Sequence, residues 1–277
     1  MTIIIKKPVA VDMHDLRLNL IDAARAIEIN ESTKKLKIAL FDFTGCVGCQ
    51  LQLAESKLMD FPELLEISHF RVLSSYSNDD YDIALIEGCI SCQDEVERLQ
   101  KIRQHAKLLV AVGICACFGG ISTQVNKCNL DETIRDLYNV MPVEGQSARR
   151  ISDVVKVDHY ISGCPTVKEE LELMILSFVL GRQVIYPNYS VCVDCRRQLN
   201  TCLCKLGGLC LGSLTRAGCN AACPTGGSVC LGCRGPAAKH NMPVFLERMK
   251  KKGLNHNRML QKLAFYNAFE PLVANEA

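Results

Sequence analysis

The sequence predicts an α/β protein with a doubly wound parallel sheet, followed by a small cysteine-rich domain organised by metal. Two observations carry this. Short apolar runs alternate with helix-like segments over the first two-thirds of the chain, a pattern that crossover connections turn into a parallel sheet. The 17 cysteines are also unevenly spread, eight lying in residues 1–185 and nine between Cys192 and Cys233. In order, residues 37–43 form a compact apolar run, 48–59 are helix-like, 70–75 and 81–87 are short strand candidates, 92–106 are charged and helical, and 107–113 read as a buried strand. A further helix starts at Thr166. Thr166 and Glu169 stand in capping-box spacing, Val167, Leu171, Met174, Ile175 and Phe178 share one face, and Gly181 is the stop. From about Pro187 to Pro236, Gly and Cys replace apolar periodicity, so metal rather than a hydrophobic core is expected to order that stretch. Residues 9–28 and 243–266 read as amphipathic helices for docking or partner contact. The division is therefore an N-terminal extension (1–35), the α/β domain (36–186), the cysteine-rich domain (187–236) and a helical tail (237–277).

Composition narrows the function. With 277 residues, 48% of them apolar, there is ample material for a core. Lys and Arg number 32 against 30 Asp and Glu, so net charge implies neither a nucleic acid nor an anionic membrane surface as the main partner. No window approaches the roughly 18 uninterrupted apolar residues of a membrane span; the best, 108–121, is broken by Gly113, Gly119 and Gly120. The N-terminal apolar patch precedes Lys6, Lys7 and Pro8, the wrong order for a signal peptide, and no twin-arginine motif stands there, so a cytoplasmic location is expected. An odd, high cysteine count in a reducing compartment points to thiolate ligation of metal rather than to disulfides.

In Gly45-Cys46-Val-Gly-Cys49 a C-x2-C pair follows a strand and begins a helix, where backbone amides and the helix N-terminus favour an anionic group. Alone the pair would equally serve zinc or thiol–disulfide exchange. Cys115 and Cys164 also lie just beyond apolar runs, and an open parallel sheet gathers ligands outside the carboxyl ends of its strands. Cys46, Cys49, Cys115 and Cys164 are thus candidates for one cubane. Cys89 and Cys92, at another strand end, compete for those places, whereas Cys117 and Cys128 read as small buried or surface thiols.

The second stretch carries Cys192, Cys195, Cys202, Cys204, Cys210, Cys219, Cys223, Cys230 and Cys233. Scattered single thiols, Gly-rich loops and a Cys-Pro favour iron–sulfur over the paired knuckles of tetrathiolate zinc. Eight ligands make two clusters and leave one thiol spare. Complete nucleotide-binding fingerprints, zincin motifs and nucleophile elbows are absent from the sequence.

Over residues 36–236 the chain resembles the nickel–iron hydrogenase small subunit, in particular the delta subunit of cytoplasmic sulfhydrogenase-type, NAD(P)-linked enzymes. The carriers are the Cys46–Cys49 segment with Gln-Leu-Gln-Leu after it, Val112-Gly-Ile-Cys115-Ala with Gly119-Gly-Ile121, Gly163-Cys164-Pro165, Pro187 to Cys192, and Cys210-Leu-Gly with Thr215-Arg-Ala-Gly-Cys219. The resemblance implies a flavodoxin-like domain with a proximal cluster on Cys46, Cys49, Cys115 and Cys164, facing the nickel–iron centre of a separate large subunit. It implies a distal cluster on Cys192, Cys195, Cys202 and Cys210, and a medial one on Cys219, Cys223, Cys230 and Cys233, all three 4Fe-4S. Cys204 stands as an alternative to Cys202.

The implied function is electron relay between the large subunit and a flavin and iron–sulfur subunit that reduces NAD(P). Two other readings stand beside it. One is the small subunit of a heterodisulfide-reductase-linked, F420-non-reducing hydrogenase, and the other a zinc-organised assembly module without redox function.

Overall fold

The computed structural model describes residues 13–25, 35–73, 78–128, 132, 136, 147–184 and 186–269. The ends of the expected extension and tail, 1–12 and 270–277, lie outside the described residues, as do 26–34. The strands are β1 (Leu36–Asp42), β2 (Leu65–Phe70), β3 (Ile83–Glu87), β4 (Leu108–Val112) and β5 (His159–Ile161). The described helices are α1 (Met13–Arg25), α2 (Gly48–Ala54), α3 (Gln93–His105), α4 (Gly113–Phe118), α5 (Lys168–Val179), α6 (Val191–Arg197), α7 (Ala222–Thr225), α8 (Met242–Lys251) and α9 (His256–Leu263).

The five strands pair in the order β2-β1-β3-β4-β5, all parallel. This is the flavodoxin-like order, whose switch point lies between β1 and β3. Alternation sorts the side chains to the two faces. Ile38, Leu40, Ile83, Leu85, Val110 and Val112 point to one side, where Leu20 and Ile21 of α1, Leu53 of α2 and Leu171 and Met174 of α5 cover them. Ala39, Phe41, Ala84, Ile86, Leu109 and Ala111 point to the other, under Val96, Leu99 and Ile102 of α3 and Ala116 and Cys117 of α4. Arg17 ties α1 down through Glu172, at 3.2 Å.

Two sequence expectations are corrected. The edge strand is Leu65–Phe70, not 70–75: Leu36 to Leu40 of β1 pair with Leu65 to Phe70, and the chain turns at 71–73. Thr166 does not cap α5. The N-cap is Val167, without a side-chain cap, because the Thr166 amide is turned toward Cys49 Sγ at 3.5 Å, and the Thr166 hydroxyl is buried without a partner.

The cysteine-rich stretch, expected to lack an apolar core, does have one, and it is shared with the tail. Leu209, Leu211 and Leu214 pack on Met242, Phe245 and Met249 of α8, on Met259 and Leu263 of α9 and on Phe269, with Ile114 of α4 beneath. The tail also grips the sheet domain, Gln124 Nε2 donating to the Ala264 and Phe265 carbonyls and Asn267 Nδ2 to Phe118 O.

A buried ion network joins the two halves. Glu170 on α5 accepts Arg216 Nη1 at 2.6 Å and Arg234 Nη2 at 2.5 Å, and Arg234 also donates to the carbonyls of Ala217 and Ser162. Truncating the shared carboxylate leaves two guanidiniums in a dry interior. Glu170→Ala is therefore expected to cost about 3–5 kcal/mol, read as a lower melting temperature and faster proteolysis of the purified complex than for Glu169→Ala, whose side chain is half exposed.

Candidate iron–sulfur sites

The loops after β1, β3, β4 and β5 meet beyond the carboxyl ends of the strands. Thr44 and Cys89 exchange backbone hydrogen bonds at 3.1 and 2.9 Å, zipping the first two loops together, and Ile114 N donates to Gly163 O at 2.8 Å, joining the last two. Cys49 sits in the first turn of α2, its amide held by Glu87 Oε1 at 3.0 Å. Only glycine fits at 113, since a methyl group there would lie 2.5 Å from Cys49 Sγ, and one at Gly120 would lie 2.8 Å from Cys115 Sγ.

Cys46, Cys49, Cys115 and Cys164 are close enough to act on one another electrostatically, Cys49 on Cys115 and Cys46, and Cys115 on Cys164 and Cys46. Cys46 and Cys164 are exposed, Cys115 is half-buried and Cys49 is buried. Burial is the main cause that pushes the Cys49 thiol up and holds Cys115 at about 12. Such thiols shed protons readily only against bound positive charge, which is the chemistry a metal cluster provides. This donor set fits an iron–sulfur cluster.

Four further cysteines form a second group. Cys230 and Cys233 are raised to about 12 and about 11, chiefly by burial, and both feel Cys219, as Cys223 does. Cys223 and Cys233 also feel Cys164, so the second group adjoins the first. The third group surrounds a cavity of about 650 Å³ lined by Cys192, Cys195, Cys202, Cys204 and Cys210. A methyl group at Gly212 would stand 3.5 Å from Cys192 Sγ and 3.6 Å from Cys210 Sγ. Burial pushes Cys192 up to about 11. Cys204 Sγ donates to the Cys210 carbonyl at 3.6 Å, and the nearness of the two side chains raises the Cys204 thiol and lowers that of Cys210. Cys230 N donates to Cys210 Sγ at 3.3 Å, linking the third group to the second. Among the described residues, no three of His, Cys, Asp and Glu converge tightly enough to hold a single metal ion.

The remaining thiols differ. Cys117 is buried in the sheet core, donating to Ala111 O at 3.4 Å, and Cys128 is exposed. Cys92 precedes α3 as its N-cap, whereas Cys89 is fully buried and acts on Cys115, a fifth thiol beside the first group. Sequence reasoning missed three residues around the thiols. Glu87 holds Cys49, Arg234 follows Cys233 into the ion network, and Tyr266 of the tail lies within electrostatic reach of Cys164, Cys223 and Cys233. Glu87 and Arg234 are adjacent in sequence to cysteine motifs, a usable signal; Tyr266 carries none.

Residues 46–178 match the family model described as NADH ubiquinone oxidoreductase, 20 Kd subunit. Fold and thiol groups together thus define a redox subunit of an oxidoreductase. The delta subunit of sulfhydrogenase 2 from Pyrococcus furiosus is 35% identical over 222 residues, 78% of this chain and 93% of that protein. A subunit of the vhu F420-non-reducing hydrogenase of Methanocaldococcus jannaschii is 28% identical, over 75% of this chain and 84% of that one. Among solved structures, an NAD+-reducing [NiFe]-hydrogenase in the H2-reduced state matches with TM-score 0.52 and 27% identity, covering 56% of this chain and 96% of that one. The chain belongs to the nickel–iron hydrogenase small-subunit family. Members carry iron–sulfur clusters and pair with a large subunit. No described helix is long and apolar enough to cross a membrane.

Gly113→Ala is expected to displace the Cys49 thiol and lower the iron content of the anaerobically purified complex. Unchanged iron would show that the thiol has room to move.

Proposed function

We propose that this chain relays electrons between the nickel–iron site of its large subunit and a cytoplasmic flavin and iron–sulfur partner that reduces NAD(P), through three 4Fe-4S clusters. Cys46, Cys49, Cys115 and Cys164 hold the proximal cluster, Cys219, Cys223, Cys230 and Cys233 the medial one, and Cys192, Cys195, Cys202 and Cys210 the distal one. The bound clusters supply one-electron redox centres. The observation that carries the reading is the continuity of the thiols: Cys164 adjoins Cys223 and Cys233, and the Cys230 amide donates to Cys210 Sγ. This chain's own residues do the positioning. Burial excludes water, Glu87 and the Thr166 amide fix Cys49, and the ion network around Glu170 fixes the proximal group against the medial one. Val47, Leu51 and Ile121 are exposed apolar residues beside Cys46 and Cys115, suited to burial against the large subunit.

The vhu hydrogenase relative favours a second reading, in which the same relay serves a heterodisulfide-reductase-linked, F420-non-reducing hydrogenase. Native mass spectrometry of the complex purified without oxygen separates the two by the partner found. The same sample tests the relay. Brown protein with about twelve irons per chain fits three cubanes, and colourless protein with zinc would reject them for the non-redox assembly module.

Cys46→Ser, Cys49→Ser, Cys115→Ser and Cys164→Ser are each expected to abolish electron exit from the hydrogen site, a hard alkoxide replacing thiolate poorly at iron, while Cys128→Ser does little. Dye reduction by hydrogen measures this. For the distal cluster, low-temperature paramagnetic resonance should show a lost or three-iron signal in Cys202→Ser and a normal spectrum in Cys204→Ser. The opposite pair of spectra would make Cys204 the ligand.

A further inference from the structure

Arg234 is a permanent charge placed among thiols. It directly follows Cys233, and its guanidinium turns back to the strand of chain that leads into Cys219. There Nε donates to Ala217 O at 3.0 Å, and Nη2 lies so close over Gly218 that a methyl group at that position would stand 2.7 Å from it. Since Gly218 precedes Cys219, the cation is wedged between the approaches to two thiols of the second group. Cys219 and Cys233 both act on Arg234 electrostatically, and Arg234 acts in return on Cys233.

A guanidinium in a protein does not give up its proton. Burial works against the Arg234 charge, but the Glu170 carboxylate more than offsets it and holds the guanidinium above its ordinary range. Glu170 does not cancel that charge, because the same carboxylate also serves Arg216: two cations meet one anion, and the side chains of Arg234 and Glu170 are buried. Screening is weak in such a place, so the excess positive charge is felt by the neighbouring thiols. Asp194, the single carboxylate between residues 187 and 236, accepts Gly218 N at 3.2 Å and works in the opposite sense. The first group has the reverse environment. There the buried carboxylate of Glu87 acts on both Cys49 and Cys115. An electron added to a cluster is stabilised by a nearby cation and opposed by a nearby anion.

We propose that Arg234 sets the redox bias of the relay: its buried charge stabilises the added electron at the group of Cys219, Cys223, Cys230 and Cys233, raising the reduction potential there above what thiols and burial alone would give. Burial, hydrogen bonds to sulfur and nearby charge are the means by which a protein tunes such a centre. One electron leaves the first group and enters the second, with a driving force that the charges of this chain supply. The proposal rests on the relay reading above, which places a cluster on these four thiols. It is distinct from the clamping of the two groups by the same side chain. A clamp depends on the hydrogen bonds of the guanidinium, whereas a field depends on its charge.

The test is a redox titration of the hydrogenase complex purified without oxygen, followed by low-temperature paramagnetic resonance, in which the component altered by Cys219→Ser marks the second cluster. All variants are compared at the wild-type midpoint of that component. Arg234→Gln should lower the ratio of reduced to oxidised cluster about tenfold, which is about 59 mV for a one-electron couple. Glu170→Gln, which removes the anion and leaves both cations, should raise it by about as much. Arg234→Lys keeps the charge but not the fork of hydrogen bonds, and should leave the ratio within about twofold of wild type. Arg216→Gln, at the partly exposed end of the network, should lower the ratio by less than Arg234→Gln and decides the matter where the buried variants do not assemble. Shifts of the same sign in Arg234→Gln and Glu170→Gln, a lysine variant that titrates like the glutamine one, or no shift in Arg216→Gln would make these side chains clamps alone and overturn the proposal while leaving the relay standing. If Cys219→Ser alters no component of the spectrum, the relay reading itself fails, and the charge proposal falls with it.

Discussion

Glu170 sits where α5 meets the cysteine-rich segment, and its carboxylate is shared by two arginines of that segment. Arg234 is almost wholly buried and directly follows Cys233; it reaches past Glu170 to the Ser162 carbonyl, two residues before Cys164, and Ser162 Oγ donates back to Arg234 O at 2.7 Å. Thiols of the first and second groups are thus clamped by one side chain. Two cations and one anion in a dry interior add little to stability, because desolvation consumes most of the attraction. What such a network gives is register. An apolar contact in its place can slide by an ångström; a guanidinium with its donors committed to one carboxylate and two carbonyls has a single seat.

Thiols and apolar side chains share the labour of folding unequally along the chain. In the sheet domain the core is complete without metal, and the first thiol group rides on loops held by backbone bonds between neighbouring strand ends. Between 187 and 236 only Leu209, Leu211 and Leu214 enter the shared core, and most of it comes from α8, α9 and Phe269, with Ile114 of α4. The thiols of the second and third groups bring little packing of their own and stay neutral while buried, so they gain charge only against a bound cation. A metal cluster held by these thiols would add its binding free energy to the folding of this half. The tail lays apolar side chains over the cysteine-rich segment, with Gly232 so close beneath it that a methyl group would lie 2.5 Å from the Phe269 ring.

Much of this was legible in the sequence, for a physical reason. β1, β3 and β4 are buried on both faces and therefore read as continuous apolar runs, which fixed their places within a residue or two. β2 lies at the edge, where alternation is diluted by Glu66 and His69, and its position was misjudged by about one strand length. The α5 cap failed because a tertiary demand, turning the Thr166 amide toward Cys49 Sγ, overrode a local preference. Strand ends marked Cys46, Cys49, Cys115 and Cys164 as candidates, whereas the division of the nine later cysteines into two sets came from the family resemblance and not from spacing; Cys204 and Cys89 are distinguished only by what folding brings beside them. Glu87, Arg234 and Tyr266 act on partners 38, 64 and 102 residues away, distances across which periodicity and spacing carry no information.

Net charge was the most misleading sequence quantity. A value of +2 for the whole chain suggests a surface indifferent to sign, yet it is the average of a strongly basic end and a net acidic remainder. A partner never samples that average, because screening confines the interaction of exposed charges to roughly 8–10 Å in physiological salt, much less than the span of a chain this size. Each end therefore presents its own field. Whatever meets the chain at the third thiol group meets a basic field that the net charge of the whole sequence conceals, and complementary charge there affects encounter and register more than affinity.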